Sequence, residues 1–491
     1  MAEAATSMVF RLAAWATRRP SSKSPSTIGM PPPARTDHSL LWSDSGTKSP
    51  NANLTGRGPS FKAQCGGDLG RANDGGEGVV RAVVLSQWFP PEKATIPADI
   101  AQGLVARGHD VTVLTGFPNY PSGRIYAGWR QQAWLNHRVD GYDVRRVALY
   151  PSHDRSSLRR AASYLSFGAT STAFGWSRLR AADVVYVYHP PLTAAMGPWL
   201  SRTLSGAPYV LHVQDLWPES VTESGLLHPR SVGSVTRLLT GVCDAMYRQA
   251  SGIICIAPTM ASMLHDRGVP ERHLHVVPNW AQESVFFPAA RDNSVARDFG
   301  LAGCFSVMFA GNLGNLQGLD VAIRAAAEVR DLADFRLVLV GDGVARKSLE
   351  SLAIELAADN VLFVPSQPHE TMNAVSGAAD VQLVCLRDLP FFRGTIPSKL
   401  GAVMASGLPV ICAVAGDASS VVQDAGAGWT CAPEDVHALA QVFRAVRATS
   451  AHQLTHRGQS ARQYYETHLA TELGIDRIEH VLRKAAALET H

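Results

Sequence analysis

The sequence lacks the cysteine and histidine patterns that build disulfide frameworks and metal sites. Its seven cysteines are odd in number, form no CxxC pair, and in several cases lie in apolar runs such as GIICIA. Cysteine in such runs is usually a small buried hydrophobe, which favours a reducing cytoplasm over a disulfide framework. The 17 histidines show no HExxH or other metal-ligand spacing, and no GxSxG nucleophile elbow occurs. No metal site is therefore expected.

Long apolar runs and a strong net charge are also missing. No stretch of about 18 uninterrupted apolar residues appears, so a membrane-spanning helix is not expected. The net charge of +3 argues against bulk binding of nucleic acid. With 491 residues, of which 46% are hydrophobic and 18% charged, the chain is typical of a globular protein with two domains and additional segments.

The N-terminal residues 1–79 differ in kind from the remainder. They are rich in Ser, Pro, Gly, Asn and Arg, show little periodicity, and are predicted to form a disordered extension. The stretch MVFRLAAWATRRPSSKS is Arg- and Ser-rich, as transit peptides are, but it lacks the apolar core and cleavage site of a secretion signal. A dispensable tail, or a start site set too far upstream, is the simpler interpretation.

Short apolar runs, each followed by a turn residue and a helical pattern, fall into two consecutive series. The first extends from RAVVLSQWFPP to GIICIAP, and the second from FSVMFAG to LPVICA. Alternation of strands and helices predicts parallel sheets, and a break near 280–304 implies two Rossmann-like domains with a cleft between them. The predicted segments after the N-terminal extension are a first domain (80–280), a linker (281–303), a second domain (304–460) and a C-terminal helix (461–491) that packs back across the join.

The segment FRGTIPSKLGAVMASGLPVI (392–411) is the clearest candidate for an anion site. A Pro-Ser-Lys turn leads into a small apolar helix and then a strand. Ser398 is predicted to cap this helix, which leaves its first backbone N–H groups and the positive end of its dipole for phosphate. Lys399 and Arg393 would add charge there. This segment predicts an enzyme that holds a nucleoside diphosphate.

The loop HVQDLWPES (212–220) is a candidate sugar-binding site. It follows a predicted strand and contains Asp215, Glu219 and Trp217. Carboxylates accept hydrogen bonds from sugar hydroxyls, an indole stacks on sugar C–H groups, and a large aromatic side chain is costly to leave exposed. The alternative is a helix start with Asp215 as its cap.

Three further loops stand at predicted strand ends, where ligands of α/β sheets bind. In SQWFPPEKATIPA, Glu92 and Lys93 are placed where a ligand would enter, with a Pro-rich turn as the alternative. The turn in FAGNLGNLQGLD allows close backbone approach to an anion. VGDGVARKS resembles a P-loop, but Arg346 replaces the required glycine, so it is predicted only to line the nucleotide cleft. The candidate donor-binding residues of the last two turns are Gly311, Asn312, Gly314, Gly341 and Asp342.

The stretch RRAASYLSFGATSTAFGWSRLR (159–180) is apolar and aromatic, with arginine at both ends. It is predicted either to lie on anionic lipid as an interfacial helix or to be an ordinary domain helix.

Taken in order, QWFPPE, ARGHDVTVLTGFPNYPSG, DLWPES, FAGNLGNLQGLD, VGDG and RDLPFFRGTIPSK resemble the GT4-type retaining glycosyltransferases. The resemblance covers about residues 81–485 and is closest to the bacterial capsule, colanic-acid and O-antigen subgroup, including fucosamine and fucose transferases. It implies an α/β GT-B fold, with two Rossmann-like domains facing a central cleft. The acceptor would bind mainly to the first domain and the nucleotide-sugar donor to the second, without a metal, because a helix N-terminus and basic side chains offset the leaving diphosphate.

The resemblance also implies roles for individual residues. Many relatives carry a ribose-binding glutamate where this chain has Ala402, and a preceding glutamate where it has Gly394. Gln214 replaces a histidine that many relatives place near the donor sugar. The implied catalytic residues are Lys399, Arg393, Asp215 and Glu219. The donor would be bound by Ser398 and Lys399 together with the two glycine turns. The acceptor side would include Glu92, Lys93 and Trp217.

The implied activity is metal-independent transfer of a hexose or deoxyhexose with retention of configuration. The donor would be a nucleoside-diphosphate sugar, with UDP favoured over GDP, and no cofactor is expected. The acceptor would be a polyprenyl-diphosphate-linked or other glycan of a surface polysaccharide, which places the protein in the cytoplasm, in peripheral contact with the inner face of the membrane. Two alternatives stay open: a nucleotide-sugar 2-epimerase of the same architecture, and a non-catalytic partner subunit, for which Ala402 is the best support.

Overall fold

A computed structural model of the chain describes residues 78–152, 156–217, 232–291 and 293–487. The prediction of a disordered extension therefore lies almost entirely outside the described residues. The strands are β1 (Arg81–Ser86), β2 (Asp110–Gly116), β3 (Trp134–Val139), β4 (Tyr142–Val147), β5 (Val184–His189), β6 (Tyr209–Val213), β7 (Gly252–Cys255), β8 (Leu274–Val276), β9 (Phe305–Ala310), β10 (Phe335–Val340), β11 (Val361–Val364), β12 (Val381–Cys385), β13 (Val410–Ala413) and β14 (Gly428–Thr430).

Helices follow most of the strands, as the sequence pattern predicts. They are α1 (Thr95–Ala106), α2 (Ser157–Ala181), α3 (Met196–Thr203), α4 (Val232–Gln249), α5 (Pro258–Asp266), α6 (Ser294–Asp298), α7 (Leu319–Glu328), α8 (Arg346–Glu355), α9 (Met372–Gly377), α10 (Ser398–Ala405), α11 (Asp417–Asp424), α12 (Val436–Ala448), α13 (Ala451–Tyr464) and α14 (Thr471–Ala487). Within the described ranges, none of these helices combines the length and the apolar character needed to cross a bilayer.

The strands form two sheets, one in each half of the chain. The first has the order β3-β4-β2-β1-β5-β6-β7-β8, and the second the order β11-β10-β9-β12-β13-β14. All neighbours pair in parallel except β3 and β4, an antiparallel hairpin that the sequence pattern did not predict. The central strands are apolar along their whole length because helices cover both faces of a parallel sheet. The predicted arrangement of two α/β domains is confirmed, with the last strand of the first sheet ending at Val276 and the second sheet beginning at Phe305.

The C-terminal helix packs back on the first domain, as predicted. Buried side chains of α14, including Ile475 and Ile478, share an apolar cluster with β1, β5 and α1. Trp280, at the crossover between the domains, donates an indole hydrogen bond of 2.8 Å to Asp99 and lies against Gly474 of α14. The C-terminal segment is two helices rather than one, since the chain takes an extended conformation at Ala470.

Candidate active site

The N-terminus of α10 is open, but its cap differs from the prediction. Pro397 is the N-cap residue, with φ −60° and ψ 136°, and no side chain caps the helix. The prediction that Ser398 caps the helix is wrong, because Ser398 is already the first helical residue, and its side chain is exposed. The first N–H groups of this eight-residue helix therefore have no side-chain acceptor, which leaves them available to an anion.

Lys399, the second residue of α10, provides a cation at the same point. Its Nζ lies 3.5 Å from the centroid of the Phe309 ring, at the end of β9. Burial lowers the pKa of the Lys399 amine to about 8. In the described part of the chain, no carboxylate pairs with this amine. A cation with an aromatic neighbour and no carboxylate partner keeps its charge available for a ligand phosphate.

The glycines of the two predicted donor turns serve a purpose that the sequence did not reveal. A Cβ at Gly311, where φ is +143°, would lie 2.5 Å from Cε of Lys399. A Cβ at Gly341, where φ is +142°, would lie 1.9 Å from the carbonyl oxygen of Gly311. The Gly311 turn therefore packs closely against both the Gly341 turn and the Lys399 side chain. This packing explains why both positions are glycine, without an anion.

The other predicted donor residues lie in the same two turns. Asn312 and Asp342 are exposed, and one Asp342 carboxylate oxygen accepts a 2.7 Å hydrogen bond from the Gly343 backbone N–H. Gly314 precedes a short 3₁₀ turn, and α7 begins only at Leu319, so the anion contact predicted for this turn is not at the start of an α-helix. The predicted anion contact would therefore rest on the turn itself, without an α-helix N-terminus.

Two arginines near the cleft differ in whether their side chains are available to bind a ligand. Arg393 lies in a 3₁₀ turn, its side chain is 56% exposed, and its only ion pair in the described ranges is with Asp388 at 3.4 Å. Such a surface pair is weak, so Arg393 can turn to a ligand. Arg346 instead donates to the Gly341 carbonyl at 2.5 Å and to the Glu350 carboxylate at 2.8 Å, which makes it part of the scaffold.

Asp215 and Trp217 follow the end of β6, at the carboxyl edge of the first sheet. Asp215 is exposed, and the surrounding protein raises the pKa of its carboxyl by displacing solvent. Trp217 is half-buried, with its ring centroid 6.1 Å from that of Tyr164. Glu219 lies outside the described residues. Asp215 and Trp217 are thus placed at the ligand-binding edge, as predicted, whereas their roles stay predictions.

Glu92 does not face an incoming ligand, contrary to the prediction. Its side chain is buried, at 3% exposure, and its carboxylate accepts backbone hydrogen bonds from Phe89 at 3.1 Å and from Asn119 and Tyr120 at 2.8 Å each. Burial raises the pKa of this carboxyl, although the three N–H donors oppose the shift. Glu92 therefore joins the loops that follow β1 and β2, while its neighbour Lys93 is exposed.

Contacts across the cleft include residues that the sequence did not single out. Asp417, the first residue of α11, accepts hydrogen bonds from the backbone N–H of Thr259 at 2.8 Å and from its hydroxyl at 2.9 Å. Within the first domain, Gln214 and Asn279 form a reciprocal amide pair at the end of β6. An apolar cluster that contains Leu216 of the first domain continues into α10 of the second. The Thr259–Asp417 contact and the shared apolar cluster join the two domains.

Comparisons with known proteins agree with this architecture. Residues 94–280 match the model of the glycosyl transferase 4-like domain, and residues 304–448 match that of glycosyl transferases group 1. The colanic acid biosynthesis glycosyl transferase WcaI of Escherichia coli is 28% identical in an alignment of 344 residues, which covers 67% of this chain and 82% of that protein. Glycosyltransferase WbjE of Pseudomonas aeruginosa is 29% identical over 270 residues, which are 54% of this chain and 66% of that protein.

A solved structure shares the fold at low sequence identity. HepE of Anabaena, in complex with UDP, superposes with a TM-score of 0.60 at 16% identity, over 82% of this chain and 99% of that protein. The two family models fall in order on the two sheet domains, the first ending at residue 280 and the second beginning at residue 304. The chain belongs to the GT4-type glycosyltransferases and has the two-domain GT-B fold.

Proposed function

We propose that the protein transfers a sugar, with retention and without a metal, from a nucleoside-diphosphate sugar to a glycan acceptor. The observation that carries the proposal is the Lys399 amine, which has no carboxylate partner in the described ranges and lies on the first turn of an uncapped helix. A UDP-sugar is the favoured donor, in keeping with HepE, whose structure contains UDP. The role in surface polysaccharide biosynthesis rests on the relative WcaI, and the acceptor is proposed to be linked to a lipid carrier.

In the proposed reaction, the bond between the sugar C1 and the diphosphate oxygen breaks as the acceptor hydroxyl bonds to C1 from the same face. The proton of that hydroxyl passes to the departing diphosphate. Negative charge grows on the diphosphate as it leaves, and Lys399, Arg393 and the N–H groups of α10 are placed to stabilise it. These groups supply the positive charge that a divalent cation provides in other transferases. Asp215, which follows the carboxyl end of β6, is proposed to meet the acceptor hydroxyl.

Peripheral membrane contact through residues 159–180 remains part of the proposal. One face of α2 is covered by its own domain, with Phe167 and Leu179 buried. Its first half also exposes Leu165 at 49%, and Leu158 just before the predicted stretch at 83%. Exposed leucines beside arginines are a composition that anionic membrane surfaces attract. The arrangement supports contact of the first turns of α2 rather than of the whole helix.

The proposal is tested by incubating the purified protein with UDP-sugars and GDP-sugars in the presence of EDTA. Release of free nucleotide, or extension of an added glycan, supports transfer. Appearance of an isomerised nucleotide sugar would instead support an epimerase, and absence of nucleotide binding would support a non-catalytic subunit. Persistence of the activity in EDTA distinguishes metal-independent transfer from a metal-dependent one.

UDP binding is expected to weaken as the pH rises above about 8. The pKa of Lys399 is lowered to about 8, so the amine loses its proton, and its attraction for the diphosphate, across that range. Each further pH unit lowers the charged fraction about tenfold, while the terminal phosphate, with a pKa of about 6, keeps its charge. Calorimetric titration from about pH 7 to about pH 9.5 measures the effect. Lys399→Met should bind weakly with a flat profile; an unchanged slope in this variant would mean that another group titrates.

Ala402→Glu is expected to lower the dissociation constant of UDP by about tenfold. Residue 402 lies one helical turn after Ser398 on the same face of α10, so a carboxylate there can reach the nucleotide that the helix terminus holds. Hydrogen bonds from two ribose hydroxyls to a carboxylate provide an increase of that order. Ala402→Gln, with the same length and no charge, should improve binding less. Unchanged affinity in the glutamate variant would show that another residue already holds the ribose.

A further inference from the structure

Four aromatic rings form a continuous row at the carboxyl edge of the first sheet. The ring centroids of Trp88 and Tyr120 are 5.2 Å apart, those of Trp88 and Tyr164 are 6.4 Å apart, and those of Tyr164 and Trp217 are 6.1 Å apart. They come from the loops after β1, β2 and β6 and from α2. We call these four residues the aromatic row.

The aromatic row is not part of the core. All four side chains are half-buried, whereas core aromatic residues of the same domain, such as Tyr186 and Tyr209, are fully buried. Partly exposed aromatic rings side by side leave apolar surface in contact with water. At the carboxyl edge of a parallel sheet, where ligands of this architecture bind, such a surface is suited to the apolar face of a ligand.

Polar groups lie beside the rings. The Tyr164 hydroxyl makes no hydrogen bond to the residues that the structure describes. Burial raises the pKa of Tyr164, the charge of Arg160 opposes this shift, and the nearby Asp215 carboxylate adds to it. Asp215 is exposed beside it. A pyranose has an apolar C–H face and a rim of hydroxyls, which match an aromatic surface bordered by a carboxylate and a phenol.

Buried interactions hold the rings in place. Glu92 accepts hydrogen bonds from the backbone N–H of Phe89, next to Trp88, and from that of Tyr120, which fixes the first two rings relative to each other. At the other end, Arg267 donates a 2.7 Å hydrogen bond to the carbonyl of Trp217. The aromatic row is therefore formed before any ligand arrives, which lowers the entropic cost of binding.

We propose that the aromatic row, bordered by Asp215 and the Tyr164 hydroxyl, binds a pyranose ring of the acceptor by stacking against its C–H face. Glu92 is a positioning residue, because it holds the loops of Trp88 and Tyr120 without touching the sugar. The assignment of this sugar as the acceptor rests on the proposed function. The binding surface itself does not, since it can be detected without turnover.

The test is saturation-transfer difference NMR on the UDP-saturated protein with the methyl β-pyranosides of glucose, galactose, mannose and fucose. Ring C–H protons of at least one glycoside are expected to receive saturation from the wild type. Trp217→Leu and Tyr164→Leu should each raise its dissociation constant about tenfold, the effect of losing one stacked ring. Trp134→Leu is the matched control, because Trp134 is 47% exposed on β3, outside the aromatic row, and its loss should change nothing.

Glu92→Gln is expected to weaken glycoside binding while the UDP dissociation constant stays unchanged, a split that general destabilisation would not produce. Unchanged glycoside binding in both Trp217→Leu and Tyr164→Leu would overturn the proposal, as would absence of saturation transfer from all four glycosides to the wild type. UDP affinity, measured on the same samples, tests the donor site independently of the aromatic row. Failure of UDP to bind would contradict the proposed function. The proposal that the aromatic row binds a sugar is tested by the glycoside measurements alone.

Discussion

Lys399→Met is expected to lower the rate of sugar transfer by about 10²–10³-fold, the effect of removing one preorganised group that stabilises developing negative charge. The amine is the cation nearest the open terminus of α10 that lacks a carboxylate partner in the described part of the chain. Methionine has a similar length, and its thioether packs well on an aromatic ring such as Phe309. Initial rates at saturating donor measure the loss.

The fold of the Lys399→Met variant should be unaffected or slightly more stable. Burial lowers the pKa of Lys399, so the charged amine is costly to hold inside the protein, and methionine removes this cost. Thermal unfolding of the wild type and of Lys399→Met measures this difference in stability. Lys347→Met is the matched control, because Lys347 is exposed near the Gly341 turn and its charge should contribute little. Transfer by Lys399→Met within about threefold of wild type would contradict the diphosphate assignment.

Gly341→Ala is expected to lower the free energy of unfolding by about 3 kcal/mol, from left-handed backbone strain and overpacking together. The added Cβ would lie 1.9 Å from the Gly311 carbonyl oxygen, and φ is +142°. The Gly311 turn must shift to relieve this contact, and it lies directly over the Lys399 side chain, so UDP affinity should fall as well. Urea unfolding and UDP titration measure the two effects.

A substitution at a second glycine distinguishes the cost of backbone strain from the cost of the steric clash. Gly426 also has a positive φ, of +59°, but no atom lies within 4 Å of the Cβ that alanine would add. Gly426→Ala should therefore cost only about 1 kcal/mol from the left-handed conformation and leave UDP affinity unchanged. Equal losses in the two variants would mean that the contact between the Gly311 and Gly341 turns contributes nothing.

The fold was largely predictable because its signals are local. Strands of a parallel sheet covered on both faces are apolar runs, and each run here is followed by a turn and a helical pattern, so two series of elements can be counted directly. The break between them marks the crossover at Trp280. The β3–β4 hairpin was missed, since β3 has only exposed and half-buried residues and therefore lacks a continuous apolar run.

Within the site, predictions succeeded where one short segment carries the chemistry. Pro397, Ser398 and Lys399 adjoin one another, so an open helix terminus with a lysine could be inferred from their order, and only the identity of the cap was mistaken by one residue. Predictions failed where a residue's partners are remote. Glu92 looks like an exposed loop carboxylate, yet its hydrogen-bond donors include backbone groups 27 and 28 positions away.

The sequence by itself determined the two α/β domains, the family and the segment that can hold a diphosphate, because each depends on the order of neighbouring residues. Only the tertiary structure decided three other features: the packing of Gly311 and Gly341 against each other, the burial of Glu92, and the assembly of the aromatic row. In each case, side chains or turns from distant segments of the chain meet at the edge of a sheet. Folding brings them within a few ångströms, and no local pattern in the chain records that distance.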